Sequence, residues 1–358
     1  FVVFESRATN LAPGDTNGTY DVFCRDRQLG TTVRMSVDSQ GAQGNGSSFQ
    51  PTLSGDGRYV VLMSYAGNLV AGDTNGFCDV FLHEIPTGVT TLVSLESLGP
   101  VQGNQTSYNP VLSDGARYLA FASLASNLVP GDVNNRTDVF LRDLQTGSTT
   151  LASVSSTGAQ GNMTSDSARV SSDGRYVAFF SMSTTLVPGD ANGTGDVFVR
   201  DLVAGTTTFA TLDSSGNQVA WAMPGTYVSM SSDGRYVGFS AVGPFVPADT
   251  NGTFDFYVRD RQAATTIRAS VGTSGTQGNG DSLGSPDSLS ADGRYVAFES
   301  LASNLVSGDT NAVEDVFVRD LVSSTTTRVS VSSGGAQANG QCHSPSISPD
   351  GRYVTFWS

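Results

Sequence analysis

Short apolar runs of about four to six residues recur along this chain at regular intervals, separated by longer stretches of Gly, Ser, Thr, Asn and Asp. No segment spaces its apolar residues at three and four, so the pattern predicts strands and tight turns rather than helices. One period can be read from residue 168. Residues 168–171 form a short strand, 172–175 a tight Asp-Gly turn, and 176–181 an apolar strand, Tyr-Val-Ala-Phe-Phe-Ser. A long acidic loop covers 184–194 and a third strand runs over 196–202. Ala204-Gly205 then turns the chain into a Thr-rich strand at 206–212, polar enough to be an exposed edge.

The acidic loop sets the period. Asp15, Asn17 and Asp21 recur as Asp73, Asn75 and Asp79, as Asp132, Asn134 and Asp138, and as Asp190, Asn192 and Asp196. The last two copies are Asp249, Asn251 and Asp255, and Asp309, Asn311 and Asp315. Successive copies lie 58, 59, 58, 59 and 60 residues apart, which makes a unit of about 59 residues. Between units, most copies carry Gln-x-Asn: Gln43/Asn45, Gln102/Asn104, Gln160/Asn162, Gln277/Asn279 and Gln337/Asn339. Four antiparallel strands in a unit of this length predict a propeller blade. The loops after strands two and four then emerge at one end, which brings the Asp-x-Asn and Gln-x-Asn segments together. The predicted fold is all-β, a six-bladed β-propeller of four-stranded antiparallel blades in one domain over 1–358, with seven blades as the alternative.

The strand pair around Ser-Pro-Asp-Gly-Arg-Tyr-Val at 348–354, with Asp-Val-Phe-Val-Arg-Asp-Leu at 315–321, resembles the TolB-type, WD40-like (PD40) propeller repeats. The resemblance covers essentially the whole chain and supports the same fold. It is nearly silent on activity, since that family includes adaptors, sensors and domains attached to peptidases. The long acidic loop departs from the shorter family consensus.

Composition narrows the functions. A formal charge of −14 argues against nucleic acid, whose phosphates call for a basic face. All nineteen basic residues are Arg, and eleven fall at two repeated positions, Arg58 and its five equivalents and Arg25 and its four. Those positions point to bracing of turns and strands. No apolar run approaches the roughly 18 residues of a membrane helix. Cys24, Cys78 and Cys342 have no metal-binding spacing and leave one disulfide with a spare thiol open. The chain opens on Phe1-Val2-Val3-Phe4 without Met, so a removed signal peptide and a longer parent polypeptide both remain open.

Oxygen ligands at positions one, three, five and seven of a tight loop are how a short peptide wraps a hard cation. Asp15, Asn17, the backbone carbonyl of Thr19 and Asp21 have that spacing, and every one of the twelve acid positions in the six loops is Asp. The expectation is a structural calcium ion at these loops, with Asp73, Asn75, Asp79 and the other copies as ligands. That in turn suits an extracellular or cell-surface setting, where calcium is millimolar. The competing reading is an Asx-turn network in which Asp and Asn only bind loop N–H groups. Catalysis has little material: no nucleophile elbow or zincin helix motif occurs, and the acids left over from repeated positions form no acid/base pair.

Repetition fails in the unit from about 213 to 270. The Gln-x-Asn loop there brings in Trp221 and Met223, its partner loop has Gly243-Pro244-Phe245-Val246 for the usual Ser-Asn-Leu-Val, and Phe254 precedes the second acid. An exposed apolar patch of Trp221, Met223, Phe245 and Phe254 is a candidate contact for a glycan or protein partner. Packing of the four into a local mini-core is the alternative. At the ends, the second-strand sequence occurs seven times but the acidic loop six. Segments 1–6 and 353–358 then compete for one slot, and exchange of a terminal strand with another copy of the chain is one resolution. The function expected is a non-catalytic, calcium-stabilised structural or self-assembling surface or filament protein. A ligand-binding module is the alternative, and a hydrolase a minor one.

Overall fold

The computed structural model describes residues 1–220 and 223–358. The apolar runs form strands because their β-branched and aromatic residues alternate between two packed faces. The first three strands, β1 (Val2–Ser6), β2 (Asp21–Asp26) and β3 (Thr31–Arg34), make a sheet in that order. Five four-stranded sheets follow, each ordered as in sequence. The first contains β4 (Ser48–Leu53), β5 (Tyr59–Ser64), β6 (Asp79–Glu84) and β7 (Val89–Leu92). The second contains β8 (Ser107–Leu112), β9 (Tyr118–Ser123), β10 (Asp138–Asp143) and β11 (Ser148–Leu151). The third has β12 (Ser165–Val170), β13 (Tyr176–Ser181), β14 (Asp196–Asp201) and β15 (Thr206–Phe209). The fourth has β16 (Met223–Met230), β17 (Tyr236–Val242), β18 (Asp255–Asp260) and β19 (Thr265–Arg268). The fifth has β20 (Ser282–Leu283), β21 (Tyr295–Ser300), β22 (Asp315–Asp320) and β23 (Thr325–Arg328). A hairpin of β24 (His343–Ile347) and β25 (Val354–Trp357) completes the described strands.

The fold is all-β, a six-bladed β-propeller. Five blades are four-stranded; the sixth, β1 to β3, has three strands, and β24 with β25 repeats the first two strands of a blade. Contacts divide the chain into two compact units, 1–154 with 160–177 and 155–159 with 178–358. The strand bounds follow the sequence reading closely, with the second strand at Tyr176–Ser181 as expected and the fourth ending earlier, at Phe209. The termini differ from expectation. β1 pairs with β2 and β25 with β24, so segments 1–6 and 353–358 lie in separate sheets and do not share a slot.

In five of the six blades the second and third strands place aromatic rings opposite one another, and in the remaining one Leu62 faces Phe81. Phe4 stacks on Phe23, Phe121 on Phe140, Phe179 on Phe198, Phe239 on Tyr257 and Phe298 on Phe317, with ring centroids 5.7–5.9 Å apart. Such cross-strand pairs fix register as well as burying area, because a one-residue slip would turn the rings to the opposite face.

At the turn between strands one and two, a serine hydroxyl donates to the aspartate two residues on, as from Ser171 to Asp173 at 2.6 Å. The arginine before the tyrosine of the second strand braces the third strand, as the sequence indicated. Arg117 reaches Asp143 at 2.8 Å, Arg235 reaches Asp260 at 2.6 Å and Arg294 reaches Asp320 at 2.7 Å. Each guanidinium also lies 4.8 Å from the ring of the tyrosine that follows it.

That tyrosine ties one blade to the next. Gly174 has φ +72°, and a Cβ there would sit 2.5 Å from the Tyr118 ring. Gly131 has φ +89° with nothing within 4 Å of a Cβ. Both positions resist a side chain on backbone grounds, by about 1–2 kcal/mol, but only Gly174 also meets a neighbouring blade. Gly174→Ala is therefore expected to lower the urea midpoint clearly more than Gly131→Ala. Equal losses would remove the tyrosine contact from the account.

Candidate functional site: the aspartate loops

The loop after each second strand and the connection after each fourth strand meet, as the topology predicts. The third copy shows the arrangement. Asp138, the first residue of β10, is fully buried, and its Oδ1 accepts the Ser153 hydroxyl at 2.5 Å. Ser153 Oγ in turn accepts the Val139 N–H at 3.1 Å. Gln160 Nε2 stands between the two acids of the loop, donating to Asp132 Oδ1 at 2.7 Å and Asp138 Oδ2 at 2.8 Å. Its Oε1 accepts the Val133 N–H at 3.1 Å. Asn134 donates through Nδ2 to Asp138 Oδ2 at 2.8 Å and to the Gly161 carbonyl at 3.0 Å.

The six copies keep this plan. The second acid accepts a hydroxyl from Ser36, Ser94, Ser153, Thr211, Ser270 or Ser330 at 2.5–2.6 Å. The bridging glutamine is Gln43, Gln102, Gln160, Gln218, Gln277 or Gln337, and each donates to the first acid of its loop. Gln218 is a member that the Gln-x-Asn pattern missed, because Ala220 stands where the other copies have Asn. Its bridge to Leu212 matches those of its counterparts, Val154 to Gln160 among them.

The asparagines proposed as ligands, Asn17, Asn75, Asn134, Asn192, Asn251 and Asn311, all turn Oδ1 toward the N–H two residues ahead, at 2.7–3.3 Å. That is the Asx-turn geometry. Their amides donate to the neighbouring connection's carbonyl, as Asn17 does to Gly44 at 3.0 Å. Thr19 Oγ1, beside the carbonyl proposed as a ligand, is buried and makes no hydrogen bond.

Arginine divides the copies in a way the motif search overlooked. Arg34, Arg268 and Arg328 end β3, β19 and β23 and reach into the loops beside them. Arg34 lies 3.9 Å from Asp15 and 3.8 Å from Asp21. Arg268 lies 3.5 Å from Asp249 and 3.3 Å from Asp255, and Arg328 3.5 Å from Asp309 and 3.6 Å from Asp315. The register opposite the third strand puts Leu92, Leu151 and Phe209 at the same position in the other three blades. Burial pushes Asp79, Asp138 and Asp196 up to about 6 in those blades. Burial also raises Asp255, where the Arg268 charge opposes it.

The aromatic patch is corrected in part. Phe245 is fully buried, packed 5.2 Å from the Phe239 ring and 4.9 Å from the Tyr257 ring. It fills the place of the buried leucines Leu69, Leu128 and Leu305, so it belongs to the core of its blade. Phe254 is half-buried and tied through its N–H to Asp281 at 2.9 Å. Met223 begins β16 opposite Val242, and Trp221 lies outside the described residues. The three cysteines are free and buried, with the Cys78 thiol pushed up to about 12 by burial. His83, standing where other blades have arginine, is buried against the Thr90 hydroxyl at 2.9 Å.

A pH dependence follows. Carboxyls raised in the folded state bind protons more tightly there than in the unfolded chain, whose aspartates titrate near 3.9. The stability they contribute is complete below that value and lost as pH rises through about 6. In chelator, urea melts are expected to show the protein more stable at about pH 5 than at about pH 7. Asp79→Asn should flatten that slope, whereas Asp56→Asn, in an exposed turn, should leave it unchanged. A slope that Asp79→Asn leaves intact would assign the effect elsewhere.

No protein-family model matches the chain, and no curated protein matches it. Solved structures do. A TolB candidate from Agrobacterium tumefaciens matches with a TM-score of 0.50 at 14% identity, over 94% of this chain and 98% of that one. An oligogalacturonate lyase in complex with manganese matches with 0.56 at 13% identity, over 95% and 80%. The β-propeller domain of the trilobed protease from Pyrococcus furiosus matches with 0.51 at 9% identity, over 87% and 79%. At these identities the likeness is one of fold, and the chain has the β-propeller architecture of TolB and other WD40-like propeller proteins.

Proposed function

We propose that this chain is a non-catalytic propeller that works outside the cell as a structural module, with calcium holding its aspartate loops. The observation that carries this reading is the pair of acids in every loop, one fully or almost fully buried at the head of the third strand. Neutral amides and hydroxyls supply hydrogen bonds to these pairs, and in the Asp73, Asp132 and Asp190 loops no guanidinium stands beside them to offset their charge. A hard divalent cation with oxygen preference is the natural complement outside cells, where calcium is about millimolar. The carboxylates would hold the ion, with loop carbonyls and water completing its shell.

Self-association is the second part of the reading. Among the described residues β25 pairs with β24 alone, and Tyr353 and Trp357 in and beside it are more than half exposed. β1 is likewise the edge of its sheet, with Phe1 56% exposed. Apolar strand edges of this kind favour addition of a strand from another copy of the chain.

Chelation is expected to lower the melting temperature and calcium to restore it, since an ion bound only by the native state stabilises by about 2.7 kcal/mol at a hundredfold excess over its dissociation constant. Identical melts of metal-stripped protein with and without calcium would overturn the calcium reading. Deleting residues 1–6 is expected to reduce the assemblies seen by light scattering. An unchanged assembly state would overturn strand addition and leave calcium untouched.

A further inference from the structure

The six loops differ in one respect that bears on what they bind. In three of them a guanidinium already lies within 3.3–3.9 Å of both carboxylates. It also reaches the backbone just before the first acid, as Arg268 Nη2 does to the Ala248 carbonyl at 3.1 Å. These loops carry their own cation. In the other three the equivalent side chain is apolar and is drawn into the blade. Leu92 packs against the buried cluster that includes Phe81, Leu151 against the one that includes Phe140, and Phe209 lies 5.2 Å from the Phe198 ring. Among the described residues, no basic group pairs with Asp73, Asp79, Asp132, Asp138, Asp190 or Asp196.

We infer that calcium binds in the three loops without arginine, Asp73–Asp79, Asp132–Asp138 and Asp190–Asp196, and that arginine takes the place of the ion in the other three. The inference rests on the calcium reading above and makes it selective. Its independent support is in the Asp190 loop. Asp190 Oδ2 is buried and has no hydrogen-bond partner. An ionised oxygen buried without a donor costs several kcal/mol unless a cation or a proton meets it. Where arginine is present, the first acid is met: Asp249 accepts from both the Tyr257 hydroxyl and Gln277, with Arg268 alongside. The donors in the three loops are oxygens of carboxylate, hydroxyl and carbonyl groups, with no thiolate or imidazole among them. That set suits calcium better than zinc, and its irregularity suits calcium better than magnesium, which requires a near-ideal octahedron.

Stoichiometry tests this. Metal-stripped 358-residue chain is dialysed against radiolabelled calcium at about 1 mM, and bound ion is counted per chain. Three ions are expected. Six would overturn the selectivity while leaving the calcium reading in place, and none would overturn both. Leu92→Arg is expected to lower the count to two, and Arg328→Leu to raise it to four by opening the Asp309–Asp315 loop. If Leu92→Arg fails to fold by circular dichroism, Leu151→Arg carries the same expectation. A count of three in every folded variant would show that arginine and calcium do not compete for one place.

Discussion

A carboxylate buried at the head of every third strand is the constraint around which each blade is built. An aspartate without water must find donors, and its backbone position leaves few within reach. Each copy supplies a hydroxyl fifteen residues on, from Ser36 to Asp21 or from Ser330 to Asp315, so the chain leaving the fourth strand must return to the third. The same hydroxyl oxygen takes the next N–H, as Ser36 does from Val22 at 3.2 Å. A glutamine from the connection then closes the pair from the other side. The long loop is thus held through side chains, because it has too little regular backbone pairing to hold itself.

Satisfying hydrogen bonds and balancing charge are separate requirements, and the repeats meet the second in two ways. Arginine at the end of the fourth strand balances both acids, at the cost of burying a guanidinium with Nε left unpaired in Arg34, Arg268 and Arg328. Leucine or phenylalanine at that place adds apolar burial to the blade and leaves the acids to an external cation or a proton. Buried ion pairs seldom exceed a well-packed apolar residue in stability, so neither solution is favoured on energy alone. The choice alters what the loop responds to, not how firmly the blade is packed.

Much of this was legible in the sequence because the repeat aligns six copies of each position. Strand type, turn type, period and the meeting of the two loops all followed from spacing. The donor role of the glutamine did not, since a motif fixes residue type but not which end of an amide faces an acid. Gln218 was hidden by the loss of Asn two residues later, although its distance of 28 from Asp190 matches that of Gln43 from Asp15. Arg34, Arg268 and Arg328 were visible as letters but lie thirteen residues from the second acid of the loop and nineteen from the first, separations that only strand pairing brings into contact. Phe245 misled because a large ring in place of leucine reads as surface novelty. Here it is a core residue enlarged to match Tyr257.

The distribution of the two loop types along the chain gives the division a physical meaning. The loops without arginine are consecutive, at 73–79, 132–138 and 190–196, and those with arginine flank them at 15–21, 249–255 and 309–315. Repeat proteins are coupled mainly between neighbours, so the order of the two loop types along the sequence matters as well as their number. Scattered through the chain, the same three loops would each be buffered by an arginine neighbour on either side. Grouped, they form a stretch of sequence whose loops hold no cation of their own, bounded by stretches whose loops carry their own compensation. Because aromatic stacks and turn contacts occur in blades of both types, this difference rests on one side chain per blade, and exchanging that side chain would trade apolar burial in the blade for a guanidinium beside the acids.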